Sequence, residues 1–495
     1  MKELIVSILR DAIERARAAG QLTSEIPSIG IEAPRDSAHG DVASNVALTL
    51  AKPERKPPRA IAEIIKSHVT LPAEVSEVSV AGPGFINFKM SSAYWHSEMR
   101  HAASAGRAFW KPRSWQLRGD GGVDSKKRVQ VEYLSANPTG PVTVGHGRNA
   151  VLGDTIARLY EAAGFDVTRE YYFNDGGRQM KLLGESVRVR YLQQHGIDAV
   201  MPDEGYQGEY IIDIARALKA DRGDSLVSVT DLEIFHSVAV KAIFADINQT
   251  CTRLGIHFDV FTNELDLFNS GKVDAVLKAL HDAGLTFEQD GAIWLRGEPL
   301  GLPKDAVLVR SGPDRQPTYR TPDIAYHIDK LKRGFDLIVD VFGADHIAEH
   351  QEVIAAVKAL GYDITPVRAI IYQFVTLTRA GEKVKMSTRK ATYVTLDELI
   401  DEVGADVVRF FFLFRKSDSQ LDFDLELAKK QAPENPVFYV QYAHARLASI
   451  FREGAAKDLT LPADTSAIDL NLLGSEELDL VKRTIGLPDV MSAAA

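Results

Sequence analysis

Cysteine is almost missing: among 495 residues only Cys251 is present. That excludes a disulfide framework and a zinc site built from several thiolates, and it fits a reducing compartment. Long apolar runs are also missing. The densest apolar cluster, Val407 to Phe414, is interrupted by Arg409 and is too short to span a bilayer. The stretch from Met1 to Asp11 has the pattern of a charged amphipathic helix, without the apolar centre and small-residue cleavage site of a signal peptide. These absences predict a cytoplasmic protein that does not associate with membrane. No internal repeat or low-complexity tract is found. Excess positive charge is lacking as well. The net charge of −10 argues against non-specific coating of nucleic acid but allows a local basic track, as at Lys52, Arg55, Lys56 and Arg59.

What is present is an ordinary globular composition, 45% apolar and 25% charged. The length predicts about three domains. Residues 1–112 read as a separate α+β unit, closed by the strand-like segments Val78 to Ala81 and Phe85 to Phe88, and a glycine- and charge-rich linker follows. From Arg128 to Leu134 the apolar residues alternate as in a strand. Val151, Leu152, Ile156, Leu159, Tyr160 and Ala163 then recur at helical spacing, Gly164 ends the helix, and Val167 to Phe173 reads as a second strand. Strand, crossover helix and strand in succession imply a parallel βαβ unit. The pattern recurs with Leu337 to Phe342, Ile347 to Leu360 and Val367 to Phe374. The two halves predict an α/β fold with a doubly wound, Rossmann-like parallel sheet over residues 126–400. The residues between the halves, about 178–297, are too numerous for a loop and are expected to form an inserted subdomain. Residues 401–495 read as all-α. Thr395 and Glu398 form a capping box just before them, and Asn435-Pro436 opens a helix carrying Val437, Tyr439, Val440, Tyr442, Ala443, Leu447 and Ile450.

Two segments carry chemistry. Ser135 to Arg148, which includes Asn137-Pro138-Thr139-Gly140 and Thr143-Val144-Gly145-His146-Gly147, lies between a strand and a helix. That is where an open α/β sheet binds ligands, beside a helix N-terminus whose free N–H groups attract phosphate. Gly145 and Gly147 would let a nucleotide approach the backbone, with His146 hydrogen-bonding phosphate or ribose. Gly145-x-Gly147-x-x-Ala150 also matches the loose dinucleotide fingerprint, but ten residues, Ser135 to Val144, separate it from the strand, which breaks that motif's geometry and argues against an NAD site. The second segment, Gly381 to Lys390, holds Lys383, Lys385, Arg389 and Lys390 within eight residues. Its charge suits a leaving pyrophosphate.

Gly145-His146 with Lys385-Met386-Ser387-Thr388 resembles the two signature motifs of class I aminoacyl-tRNA synthetases. The wider string is similar to the arginyl-tRNA synthetases of bacterial type. That similarity runs through His39 to Asn45, Ala81 to Phe88, Phe173 to Gln179 and Tyr439 to Arg446. The resemblance implies an arginine-tRNA ligase that forms arginyl-adenylate from L-arginine and ATP and passes the arginyl group to tRNA(Arg). It implies Glu132, Tyr319 and Asp323 at the guanidinium, Asn137 at the α-amino end, and Ser135 and Asp345 completing the arginine pocket. ATP would meet Pro138, Gly140, Gly145, His146, Gly147, Lys385, Met386 and Ser387, with His146, Thr143, Lys385 and Ser387 catalytic. Tyr439, Gln441, Tyr442, His444 and Arg446 would contact tRNA, as would the N-terminal domain. Mg²⁺ is expected with ATP, no zinc and no protein metal ligand is expected, and a monomer is the family expectation.

Two departures stand out. Thr143 occupies the position where the first motif usually has histidine. The helical anticodon-binding domain of the family is longer than residues 401–495, so it is expected to be incomplete here. A nucleotidylyltransferase acting on a small molecule and a catalytically silent tRNA-binding paralogue remain the alternatives at this stage.

Overall fold

The computed structural model describes residues 1–495 except 35, 112–126, 313–314, 385–393, 460–463, 465–467 and 495. The chain divides into two compact units, Met1–Arg113 with Thr460–Ala494, and Ser114–Leu459.

The first unit is built on an antiparallel sheet whose strands run in the order Ile31–Glu32, Val42–Ser44, Phe85–Met90, Val75–Ala81. Helix Lys2–Ala18 buries Ile5, Ile8, Leu9, Ala12, Ile13 and Ala16, one stripe at helical spacing, and Ile61, Ile65, Ile86 and Phe88 join the same core. Helix Ser475–Ile485 belongs to this unit. Its Lys482 Nζ lies 2.8 Å from an Asp41 carboxylate oxygen and 5.4 Å from the Trp95 ring centroid. Of the described residues expected in the helical domain 401–495, 464 and 468–494 group with this unit, and helix Pro436–Ala456 with the second.

The second unit holds a five-stranded sheet in the order Val367–Tyr372, Leu337–Gly343, Arg128–Glu132, Asp166–Phe173, Val260–Asn263, with every neighbouring pair parallel. Numbered along the chain this order is 5-4-1-2-3, the doubly wound arrangement. The strand order reverses between Arg128–Glu132 and Leu337–Gly343, and a crevice opens there at the carboxyl ends of the strands. The stretch expected to form an inserted subdomain, about 178–297, includes the helices Gly177–Gln194, Glu209–Arg222 and Glu233–Arg253 and then the edge strand Val260–Asn263, which pairs with Asp166–Phe173. A separate antiparallel sheet, Ala306–Val309, Ala292–Leu295 and Thr286–Gln289, follows.

After the second half the helices Leu396–Val403, Ala405–Leu413 and Pro436–Ala456 alternate with one short strand, Leu421–Asp424, which pairs in parallel with Val375–Arg379. The capping box forms: the Glu398 N–H donates to Thr395 Oγ1 at 3.0 Å and the Thr395 N–H to a Glu398 carboxylate oxygen at 2.7 Å. No helix among the described residues is long and apolar enough to cross a membrane.

Candidate functional site

The central strand ends in a bend that the sequence does not advertise. Leu134 and Ser135 both have positive φ, 67° and 44°, a conformation that costs energy for residues other than glycine. Its effect is to turn Ser135 back over the strand. Ser135 Oγ donates to a Glu132 carboxylate oxygen at 3.0 Å and accepts the Tyr172 N–H at 3.2 Å. Asn149, one turn into the following helix, pins the bend: its Oδ1 accepts the Leu134 N–H at 2.6 Å and its Nδ2 donates to the Val341 carbonyl at 2.9 Å. Arg148 is almost fully buried and donates to the carbonyls of Gln373, Ser419 and Lys416 at 2.6 to 2.9 Å. Strand ends from both halves are thus tied to one helix, Val144–Ala162.

A cavity of about 920 Å³ opens at the switch point. Glu132, Ser135, Asn137, Thr143, Gly145, His146, Tyr319, Asp323 and Asp345 all line it, so residues 213 positions apart in the chain, Glu132 to Asp345, meet in one space. Pro138, Gly140 and Gly147 are not among its lining residues. Gly147 has a different reason to be small. A Cβ there would lie 2.7 Å from a Leu396 side-chain atom and 2.8 Å from the Phe412 ring, so helix packing also requires glycine at this position. Lys385, Met386 and Ser387 lie outside the described residues. Tyr439, Gln441, Tyr442, His444 and Arg446 are exposed on helix Pro436–Ala456.

At one side of the cavity Thr143 precedes the helix, and its N–H donates to His146 Nδ1 at 3.3 Å. That bond fixes the tautomer: Nδ1 accepts, so in the neutral ring Nε2 carries the hydrogen. Burial holds the imidazole below its ordinary pKa. His146 is therefore a neutral donor.

The other side is acidic. Glu132, Glu264, Asp323, Asp340, Asp345 and Glu349 line it. Lys330 is fully buried and its ammonium bridges Glu132 and Asp340, which face each other across the strand pair; the Asp340 contact is 2.7 Å. Burial alone would push Asp340 up, but Lys330, His327 and His350 hold it well below the carboxylate range. His327 touches the Asp323 carbonyl through Nδ1 at 2.8 Å and Asp340 through Nε2 at 3.1 Å. The ring thus spans the helix backbone and the strand carboxylate. Asp323 itself has no cation partner within ion-pair distance among the described residues. Burial pushes its carboxyl up to about 7, Glu264, Glu349 and Glu132 add to the rise, and His327 opposes it. The floor is aromatic: Tyr172 and Tyr326 stack at 4.3 Å, and the Tyr326 hydroxyl donates to the buried Glu170 at 2.9 Å.

Lys330, Asp340, His327, Glu264 and Tyr172 were not read from the sequence, where each looks like a strand or helix residue of no special role. Lys330 follows Asp323 by seven positions and so shares its face of helix Arg320–Lys332. His327 and Asp340, together with His350, bring ligand-type atoms within 4.8 Å of one another. Asp340 is already engaged by Lys330, so the group acts here as a charge network.

Such a cavity can hold a long substrate with a cationic end in the acidic half and a phosphate chain beside the glycine-histidine turn. Comparisons with known proteins point to one family. The family described as "tRNA synthetases class I (R), catalytic domain" matches residues 116–409, and "Arginyl tRNA synthetase N terminal domain" matches residues 3–90. An arginine–tRNA ligase of Desulfotalea psychrophila is 47% identical over the whole chain, which covers 87% of that protein. One of Salinibacter ruber is 46% identical, again over the whole chain and 88% of the relative. The solved arginyl-tRNA synthetase of Thermus thermophilus superposes with a TM-score of 0.71 over 98% of this chain and 87% of that one; at 22% identity it speaks for the fold alone.

Proposed function

The chain belongs to the class I arginyl-tRNA synthetase family and is an ATP-dependent ligase that joins arginine to tRNA, and from that premise we propose how its residues divide the work. In the first step an arginine carboxylate oxygen bonds to the α-phosphorus of ATP while the bond to the bridging oxygen breaks. Arginyl-adenylate and pyrophosphate result. In the second step a terminal tRNA hydroxyl bonds to the arginyl carbonyl carbon, its proton is lost, and AMP departs.

Neither step requires a side-chain nucleophile, so alignment and charge carry the rate. Glu132 and Asp323, with Tyr319 at the rim, take the guanidinium, because a carboxylate accepts it through two parallel charge-assisted hydrogen bonds. Asn137 takes the α-amino end, Ser135 orients Glu132, and Asp345 closes the pocket. Thr143, Gly145 and the Nε2–H of His146 meet the phosphates. The loop with Lys385, Met386 and Ser387 meets the departing pyrophosphate. Mg²⁺ would arrive with the nucleotide and supply charge neutralisation at the phosphates. Tyr439, Gln441, Tyr442, His444 and Arg446, with residues 1–112, form the tRNA-facing surface, and the protein works as a cytoplasmic monomer.

One observation carries this reading: the glycine-histidine turn and the acidic set open onto the same cavity. Arginine-dependent exchange of labelled pyrophosphate into ATP, with and without tRNA, tests it. Exchange that requires arginine supports the division of labour. Absence of exchange under both conditions overturns it.

A further inference from the structure

Two residues beyond His146, helix Val144–Ala162 carries a buried guanidinium, that of Arg148. The residue is 1% exposed, and no carboxylate among the described residues lies within ion-pair distance of it. Main-chain carbonyls alone hold the cation. One terminal nitrogen donates to Gln373 at 2.6 Å and to Ser419 at 2.9 Å, and the other donates to Lys416 at 2.8 Å. A buried cation without a counter-ion is costly, and its hydrogen bonds must offset the lost hydration. Arginine suits the place because its rigid fork of five donors reaches two separate stretches of chain at once, which an ammonium does poorly.

Both stretches bear on the cavity. Gln373 lies between Tyr372 and Phe374, and Tyr372, Phe374 and Val375 line the cavity together with Thr143, Gly145 and His146. Lys416 and Ser419 bracket the turn before strand Leu421–Asp424, which pairs in parallel with Val375–Arg379. The Gln373 N–H donates to the Ser417 carbonyl at 2.8 Å, so wall and turn move as one piece. Further along, the chain meets the glycine-histidine turn again: the Leu396 N–H donates to the Val142 carbonyl at 2.8 Å, and Thr143 pairs with Thr395. The wall Tyr372–Val375 is therefore referenced to the helix that carries His146, and Arg148 makes the connection.

We propose that Arg148 is a positioning residue for adenylation, fixing the Tyr372–Val375 wall at a set spacing from His146 so that a nucleotide between them is held where the imidazole donates. The inference rests on the assignment of the glycine-histidine side of the cavity to ATP. Arg148 touches neither substrate in this role, and its effect passes through His146 and the wall. None of its hydrogen bonds reaches the acidic side, so arginine binding is spared. The competing view is that Arg148 only satisfies buried carbonyls and stabilises the second unit.

Arg148→Met separates the two, because it keeps an unbranched side chain and removes the donors. The assay is pyrophosphate exchange by the whole chain with tRNA present. The expected result is a kcat reduced about 100-fold, the scale of an ångström-sized misplacement, with the KM for ATP raised and the KM for arginine unchanged. Arg148→Lys, whose ammonium still reaches some of the carbonyls, should recover part of kcat. Arg148→Met combined with His146→Ala should be little slower than His146→Ala alone, because a residue that acts through His146 then has nothing left to position. Additive losses, an unchanged kcat, or a KM for arginine that rises in parallel each overturn the proposal. Should Arg148→Met fail to fold, Arg148→Lys alone and combined with His146→Ala carries the same test. If His146→Ala by itself leaves the rate unchanged, the ATP assignment fails instead, and the proposal falls with it.

Discussion

His146 and Asp323 face one cavity with opposite chemistry. His146 stays neutral because burial lowers its pKa, and its Nδ1 is engaged by the Thr143 N–H, which leaves Nε2–H as a donor to developing phosphate charge. We expect His146→Ala to slow adenylation by about two orders of magnitude with folding intact, the usual scale of one lost transition-state donor. Single-turnover rates with circular dichroism check this, and an unchanged rate removes His146 from the chemistry. Asp323 titrates near 7 because of burial first and neighbouring carboxylates second. A guanidinium binds the ionised form, so below that pH the proton must leave before arginine can enter. The KM for arginine should therefore fall as pH rises through about 7 and then level off. In Asp323→Asn the dependence should shrink. A profile identical to wild type contradicts the assignment.

Helix Val144–Ala162 is the element on which the site depends, and its glycines show how. At Gly153 a Cβ would sit 2.2 Å from the Cβ and Cγ of Tyr133, a buried residue of the segment following the central strand, so helix and sheet touch with no room for a methyl group. Gly153→Ala should destabilise the second unit by about 3 kcal/mol, the upper range for overpacking, and reduce activity because Asn149 on the same helix pins the Leu134 bend. Denaturant titration measures the first effect, and an unchanged midpoint refutes it. The two βαβ halves and the glycine-histidine turn were legible because alternation and helical spacing are local. The edge strand Val260–Asn263 was not: four residues leave no period to count. The acid cluster was only half legible. Glu132 and Asp323 came from family likeness, but Lys330 meets Glu132 across 198 positions, and no local pattern encodes that contact. Glu264 resembles any acidic residue in a first helical turn, which the helix dipole already favours.

At the scale of the molecule, the two units should respond to different perturbations, because the cavity belongs wholly to the second and the depressed carboxylate Glu54 to the first. Arginine at about 100 times its dissociation constant should add about 2.7 kcal/mol to the unit that binds it. Hydrogen exchange should then slow in Arg128–Glu132 and Leu337–Gly343, and stay unchanged in Phe85–Met90 of the other sheet. Glu54 provides the converse. Burial would raise its pKa, but hydrogen bonds from Ser24 and Thr23, with Lys56 nearby, outweigh that and hold it at about 2. A carboxyl depressed in the folded state stabilises above its unfolded pKa, so this contribution is complete at neutral pH and is lost as pH falls from about 4.5 towards 2. Glu54→Gln should thus cost the first unit about 1–3 kcal/mol at pH 7 and almost nothing near pH 2, with arginine protection of the second unit retained. If the same substitution abolished that protection, the two units would be folding as one, and the separation of binding from acid stability would be wrong.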